Sequence, residues 1–204
     1  MSDVSANAFL REVVTTIESL DVAVLGEIED RLYTAWREQR TVFVMGNGGS
    51  ASTASHFACD LAKYTIVPGK PRFRVVGLTD NVPLVSAWTN DVGWASVYAE
   101  QMRGWLEPHD VLVGFSVHGG SGTGDAGPWS ENLVAAIRLA KEYGAAVLGF
   151  SGYDGGAMKD LADACAVVPV RVDDLGTPIV EGIHVVLHHL VVHRLRNRIG
   201  LEPA

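Results

Sequence analysis

His56 and Asp60 stand four residues apart, a spacing that puts two side chains on one face of a helix. An imidazole beside a carboxylate can relay protons or hold a cation. Near the C-terminus Glu181 is followed by His184, His188, His189 and His193, in a chain with seven histidines altogether. On a straight helix Glu181, His184 and His188 share a stripe, and His189 is displaced toward a neighbouring face. A tetrahedral zinc site takes three or four N, O or S ligands, and a His/Asp pair on one helix with a Glu/His pair on another supplies that number. The competing reading has these histidines capping, pairing or packing at a subunit contact.

Two glycine-rich stretches offer a different chemistry. Gly46-Asn47-Gly48-Gly49-Ser50 follows an apolar run and precedes a helix-compatible segment. Bare backbone N–H groups, the Ser50 hydroxyl and the positive end of a helix dipole would there face a phosphate or a sugar hydroxyl. The stretch is neither GxGxxG nor GxxxxGK[ST], so dinucleotide and P-loop readings lose their specific support. The second stretch places Ser116, Gly119, Gly120, Ser121 and Thr123 around His118. Two such loops side by side point to a phosphosugar; His118 taken alone reads equally well as a solvated loop residue.

The elements that must position these groups follow from the pattern. Residues 5–39 carry apolar positions spaced by three and four (Phe9, Val13, Ile17, Leu20, then Val24, Leu25, Ile28, Leu32), broken near Asp21, and predict two helices. From Thr41 the texture changes to short β-branched runs, TVFVM, RVVGL, VLVGF, AAVLGF and CAVVPV. Helix-compatible stretches at Ala51–Lys63, Val82–Thr89, Ser130–Tyr143 and Pro178–Arg198 alternate with them. That alternation predicts an α/β fold, a doubly wound five-stranded parallel sheet flanked by helices in three layers. Ligands of such sheets bind at the carboxyl ends of the strands, so GNGGS, the Asp80–Asp91 region and the Ser116 loop are expected to converge. The expected organisation is one domain over 1–204, a helical pair over 1–40 and an α/β core over 41–204. Gly119–Pro128, with five glycines, reads as a lid or a long turn.

Composition narrows the function further. Sixteen Lys and Arg against 24 Asp and Glu give a net charge of −8, which argues against binding a nucleic-acid backbone. No apolar run approaches the roughly 18 residues of a membrane span and the N-terminus has no signal-like pattern, so a cytoplasmic protein is expected, with no membrane partner. Cys59 and Cys165 are too few for a disulfide framework and are expected to be buried small apolar residues.

The segment Met45–Tyr64, MGNGGSASTASHFACDLAKY, resembles the signature of sugar isomerase (SIS) domains of the phosphoheptose isomerase type. Similarity continues through the N-terminal helical pair, Asn90-Asp91-x-Gly93, the loop after the third strand and the VEGIHVVLHH helix, nearly the whole chain. The resemblance implies isomerisation of sedoheptulose 7-phosphate to D-glycero-D-manno-heptose 7-phosphate through an enediol, in homotetramers with sites between subunits and, in some members, zinc.

Carried over residue by residue, it implies Asp60 and His189 as the catalytic pair and Glu181 as a metal or substrate contact. Where the family has Glu, Asp60 is one methylene shorter; Glu181 stands for Gln. The family spacing selects His189 over His188, and His56, Asp60, Glu181 and His189 become the implied zinc ligands. Substrate contacts are expected from Asn47, Gly48, Gly49, Ser50, Asn90, Asp91, Ser116, His118, Gly119, Ser121 and Glu181. The serine loop departs from the family's Ser-Thr-Ser-Gly-Asn-Ser at Val117, His118 and Gly120 and gains an insertion over 122–129. Tyr64 replaces a family arginine. These changes leave room for another ketose phosphate as substrate. A different class of reading is a non-catalytic SIS adaptor, since some relatives bind a replication initiator protein.

Overall fold

The computed structural model describes residues 5–120, 130–171 and 173–203. In chain order it contains α1 (Ala6–Glu18), α2 (Ala23–Arg37), β1 (Thr41–Gly46), α3 (Gly49–Lys63), β2 (Arg74–Gly77), α4 (Val82–Asp91), a 3-10 turn at Trp94–Ser96, and α5 (Val97–Met102). There follow β3 (Val111–Phe115), α6 (Glu131–Glu142), β4 (Ala146–Gly152), α7 (Gly156–Leu161), β5 (Ala164–Val168) and α8 (Asp173–Leu201). The five strands form one sheet of order β2-β1-β3-β4-β5, every pair parallel. The chain moves outward from β1 to β2, then returns to place β3 on the other side of β1. The crevice between β1 and β3 is therefore the switch point where loops splay apart and a ligand can enter.

The strands are apolar at almost every position because both faces of the sheet are covered. Alternate residues serve opposite cores: Val42 and Val44 of β1, with Val111, Val113 and Phe115 of β3, pack beneath α2, α3 and α8. Phe43, Met45 and Leu112 point the other way, toward α5, α6 and α7. The sequence places all five strands and the long helices correctly. It overlooks the short helices α5 and α7, each of six residues, too short to show a helical period. It also starts α8 at Pro178, a residue favoured in a first turn, whereas the helix begins at Asp173 and carries the proline inside.

Helix α8 is 29 residues long and by length and composition alone could cross a membrane, against the expectation from the sequence; half of its most apolar window is buried against the rest of the fold. Ile179, Val180, Ile183, Leu187, Val191, Val192, Leu195 and Ile199 join the core beneath it, which accounts for its apolar content as a core helix. Arg194 donates to the buried Glu29 carboxylate at 2.6 Å, and Arg198 lies over the Tyr33 ring at 3.8 Å. Those contacts fasten its C-terminal half to α2. The cysteines do not follow expectation: Cys59 is exposed on α3 and Cys165 is half-buried, because the outward face of α3 turns to solvent at Cys59.

Candidate functional site

Helices α3 and α8 lie side by side on the same face of the sheet, and their facing sides bring His56, Asp60, His188 and His189 together. Oδ2 of Asp60 is 3.6 Å from His56 Nε2, 3.4 Å from His189 Nε2 and 3.8 Å from His188 Nδ1. A nitrogen from each of the three imidazoles falls within 4.8 Å of the others. The ring centroids of His188 and His189 are 4.3 Å apart, and His56 is 4.8 Å from both. Adjacent residues on α8 thus reach the same point from two sides. His189 is half exposed, whereas the His188 side chain is wholly buried.

The resemblance selects His189 over His188, and the helical stripe favours His188; in the fold His188 also reaches the site. It packs edge-on to Phe57 and Phe115, and neither ring nitrogen has a hydrogen-bond partner among the described residues. Burial, then the neighbouring His189, His56 and His184, push its pKa down to about 3. It is therefore neutral, the form able to ligate a metal. An orphaned neutral imidazole aimed at a carboxylate between two further imidazoles fits a divalent cation of the zinc class in chemistry and in spacing.

Glu181 occupies a different place from the one the ligand set implied. Its carboxylate closes against Gly49, in the first turn of α3, where a Cβ would collide with it. Eight residues separate it from His189, about 12 Å of rise along a helix, so one side chain serves the loop end and the other the histidine cluster. The carboxylate benefits from the helix dipole there. His184 faces inward: its Nε2 lies 3.1 Å from the Ser151 carbonyl oxygen, Phe115 and Phe150 flank it, and burial lowers its pKa to about 4.

The first glycine loop is held rigid from behind. Asn47 and Asn132 exchange amide hydrogen bonds of 3.0 and 2.8 Å. The Tyr98 hydroxyl donates to the Gly46 carbonyl and lies 3.1 Å from Asn47 Oδ1. Asn47, expected as a substrate contact, thereby has its side chain engaged in fixing the loop; nothing in the sequence marked Tyr98 or Asn132. Gly48 has φ +56, which favours glycine, and Ser50 is buried just behind it. The second loop, with Ser116 buried and His118 exposed, sits beside β4: Ser116 N–H donates to the Phe150 carbonyl at 3.0 Å. Ser121 and the insertion over 122–129 lie outside the described residues.

The Asp80–Asp91 expectation holds at one end. Asp80 receives hydrogen bonds from Ser55 of α3 and from Thr79, tying the β2–α4 loop to α3. Asn90 and Asp91 are exposed at the end of α4 and bond each other at 2.7 Å. Their expected role as substrate contacts finds no bond to the glycine loops or the histidine cluster among the described residues, because α4 carries them away from the loop at its start.

Comparison with known proteins adds the following. The sequence profile of the SIS domain matches residues 7–152. The lincomycin biosynthesis protein LmbN of Streptomyces lincolnensis is 54% identical over 158 residues, 78% of this chain; the match spans 56% of LmbN. A phosphoheptose isomerase of Bradyrhizobium sp. is 34% identical over 169 residues, 82% of this chain and 78% of that protein. The fold superposes on the phosphoheptose isomerase GmhA from Neisseria gonorrhoeae with a TM-score of 0.79 and 24% identity, covering 94% of each chain.

Proposed function

The chain belongs to the SIS-domain phosphoheptose isomerase family, and from that premise we propose that it is an aldose–ketose isomerase converting sedoheptulose 7-phosphate to D-glycero-D-manno-heptose 7-phosphate. The observation that carries this reading is the Asp60 carboxylate with His189 and His56 at 3.4 and 3.6 Å, an acid–base group at the meeting of α3 and α8. Interconverting a ketose and an aldose requires one proton to leave the carbon next to the carbonyl and return to its neighbour, and a second to pass between the two oxygens. Asp60 takes and returns the carbon proton. His189, half exposed, serves the oxygens and is oriented by the same carboxylate. The phosphate lies in the crevice between the two glycine loops, which supply N–H groups and hydroxyls.

His56, Asp60 and His189, with His188 beside them, would hold a divalent cation of the zinc class, whose chemistry there would be polarisation of the sugar carbonyl, and Glu181 at the loop end faces the sugar. The active form is a homotetramer in the cytoplasm, one SIS domain per chain.

One observation favours a second substrate. The 54% identity is to a protein named for lincomycin biosynthesis, and the loop carrying His118 departs from the heptose-phosphate pattern. The same proton transfers on a neighbouring ketose phosphate are consistent with both. The test is incubation of metal-replete protein with a panel of ketose phosphates in deuterated water. Deuterium entering C1 or C2 of a product names the substrate, and no incorporation from any of them sinks the enzyme reading in favour of an adaptor.

A further inference from the structure

Tyr153 has φ +55, a left-handed conformation that a tyrosine rarely adopts and that clusters at functional sites. It follows β4 directly. Its ring stacks parallel to His118 and offset from it, with centroids 4.8 Å apart and planes 9° from parallel. Its hydroxyl end rests on Gly176 in the second turn from the start of α8, where a Cβ would strike it. Its N–H donates to the Val168 carbonyl at 3.1 Å. Backbone, hydroxyl and ring face are thus all constrained, and the free-standing partner is the exposed imidazole.

The two loops are built to pass in contact. Gly119 and Gly156 have φ +71 and +53, and a Cβ on either would meet the other segment's backbone. The Gly152 N–H donates to the Val117 carbonyl at 3.0 Å, and the Met158 N–H to the Gly119 carbonyl at 2.7 Å. In a trans peptide the N–H that follows points opposite to the carbonyl. The N–H groups of His118 and Gly120 are therefore turned away from the 152–158 segment, and neither is bonded among the described residues. Two amide donors turned away from that segment flank an imidazole whose ring is held in one orientation.

We propose that Tyr153 is a positioning residue that fixes His118 as a phosphate-recognising side chain, so that the pair sets the specificity of the second glycine loop. The proposal rests on the phosphosugar reading of the site. A ring held by parallel stacking keeps its nitrogens at the edge, available to a phosphate oxygen, and holding it in advance lowers the ordering penalty on binding. The loop thereby offers one aromatic donor where a run of serines would offer several flexible hydroxyls.

Steady-state kinetics on the full chain with sedoheptulose 7-phosphate, or with whichever ketose phosphate the panel identifies, test it alongside calorimetry with inorganic phosphate. His118→Ala and Tyr153→Asn, an exchange that keeps a residue tolerant of positive φ, should each raise KM by about tenfold or more, as expected for a hydrogen bond to a charged group. The turnover number stays within about twofold in both, since uniform binding alone is lost. The double variant should match the single ones, because Tyr153 acts through His118. Gly176→Ala, which pushes the ring from its other end, should also raise KM and serves where Tyr153→Asn fails to fold. Unchanged KM in Tyr153→Asn or Gly176→Ala, or effects that multiply in the double variant, would overturn the proposal. Absence of turnover by the unaltered chain refutes the isomerase reading instead. Phosphate affinity then judges the pair: it must fall in His118→Ala and Tyr153→Asn alike, and equal affinity refutes the pairing.

Discussion

The His184 imidazole lies sealed between α8 and the end of β4, and acid should break that seal. Burial pushes its pKa from 6.5 down to about 4, with the contact to the Ser151 carbonyl opposing the shift. A depressed pKa means that the folded state prefers the neutral ring, so the stabilisation is complete above pH 6.5 and is lost as pH falls toward 4. Converted at 1.36 kcal/mol per pKa unit, the gap corresponds to roughly 3 kcal/mol. That is a sizeable share of the roughly 5–15 kcal/mol that holds a domain folded. The assay is urea unfolding from neutral pH down to about pH 4, with chelator present so that ion binding does not overlay the titration. His184→Gln provides the control, because its amide can still donate to Ser151 and does not titrate. The unaltered chain starts more stable and loses its advantage over the variant by roughly 3 kcal/mol across that interval. Parallel curves for the two proteins would show that His184 is not held neutral by burial and that the packing of α8 against β4 is looser than described.

Asp60→Asn and His189→Ala should each lower turnover by at least ~10²-fold with unfolding curves unchanged; normal turnover in either removes that residue from the acid–base pair. Protein purified without a tag or chelator should carry close to one equivalent of a divalent transition metal, and His188→Leu, which keeps the core filled, should lower that occupancy; less than about a tenth of an equivalent in the unaltered chain, with activity indifferent to a chelator, refutes the metal site. Light scattering should return four times the 21.8 kDa chain mass; a monomer at micromolar concentration refutes the tetramer. That assembly is consistent with the exposed apolar side chains Leu10, Val14 and Ile17 on α1 and Val186 and Leu190 on α8, faces that a second copy would cover.

What was legible in the sequence divides along a physical line. Strands buried on both faces write themselves as unbroken apolar runs, so β1, β3 and β4 were readable, and with them the sheet that places two glycine loops at one switch point. His56 with Asp60 was readable because i,i+4 spacing survives any tertiary context. The partition of the α8 histidines was not. Helical geometry correctly put His184 and His188 on one stripe, yet a stripe does not say whether it faces core or ligand. In this fold it faces both: His184 ends against the Ser151 carbonyl, and one turn later His188 meets Asp60 across the helix contact.

Tyr153 was hidden for a related reason. A left-handed residue after a strand is ordinarily announced by glycine or asparagine. Here a tyrosine accepts the strained backbone because the Val168 carbonyl, Gly176 and the His118 ring surround it on three sides. Strain of order 1–3 kcal/mol persists only where neighbouring contacts over-determine it. The conformation of Tyr153 is in this sense evidence about His118: the fold tolerates an unfavourable backbone at a position from which a ring braces the exposed imidazole of the second glycine loop.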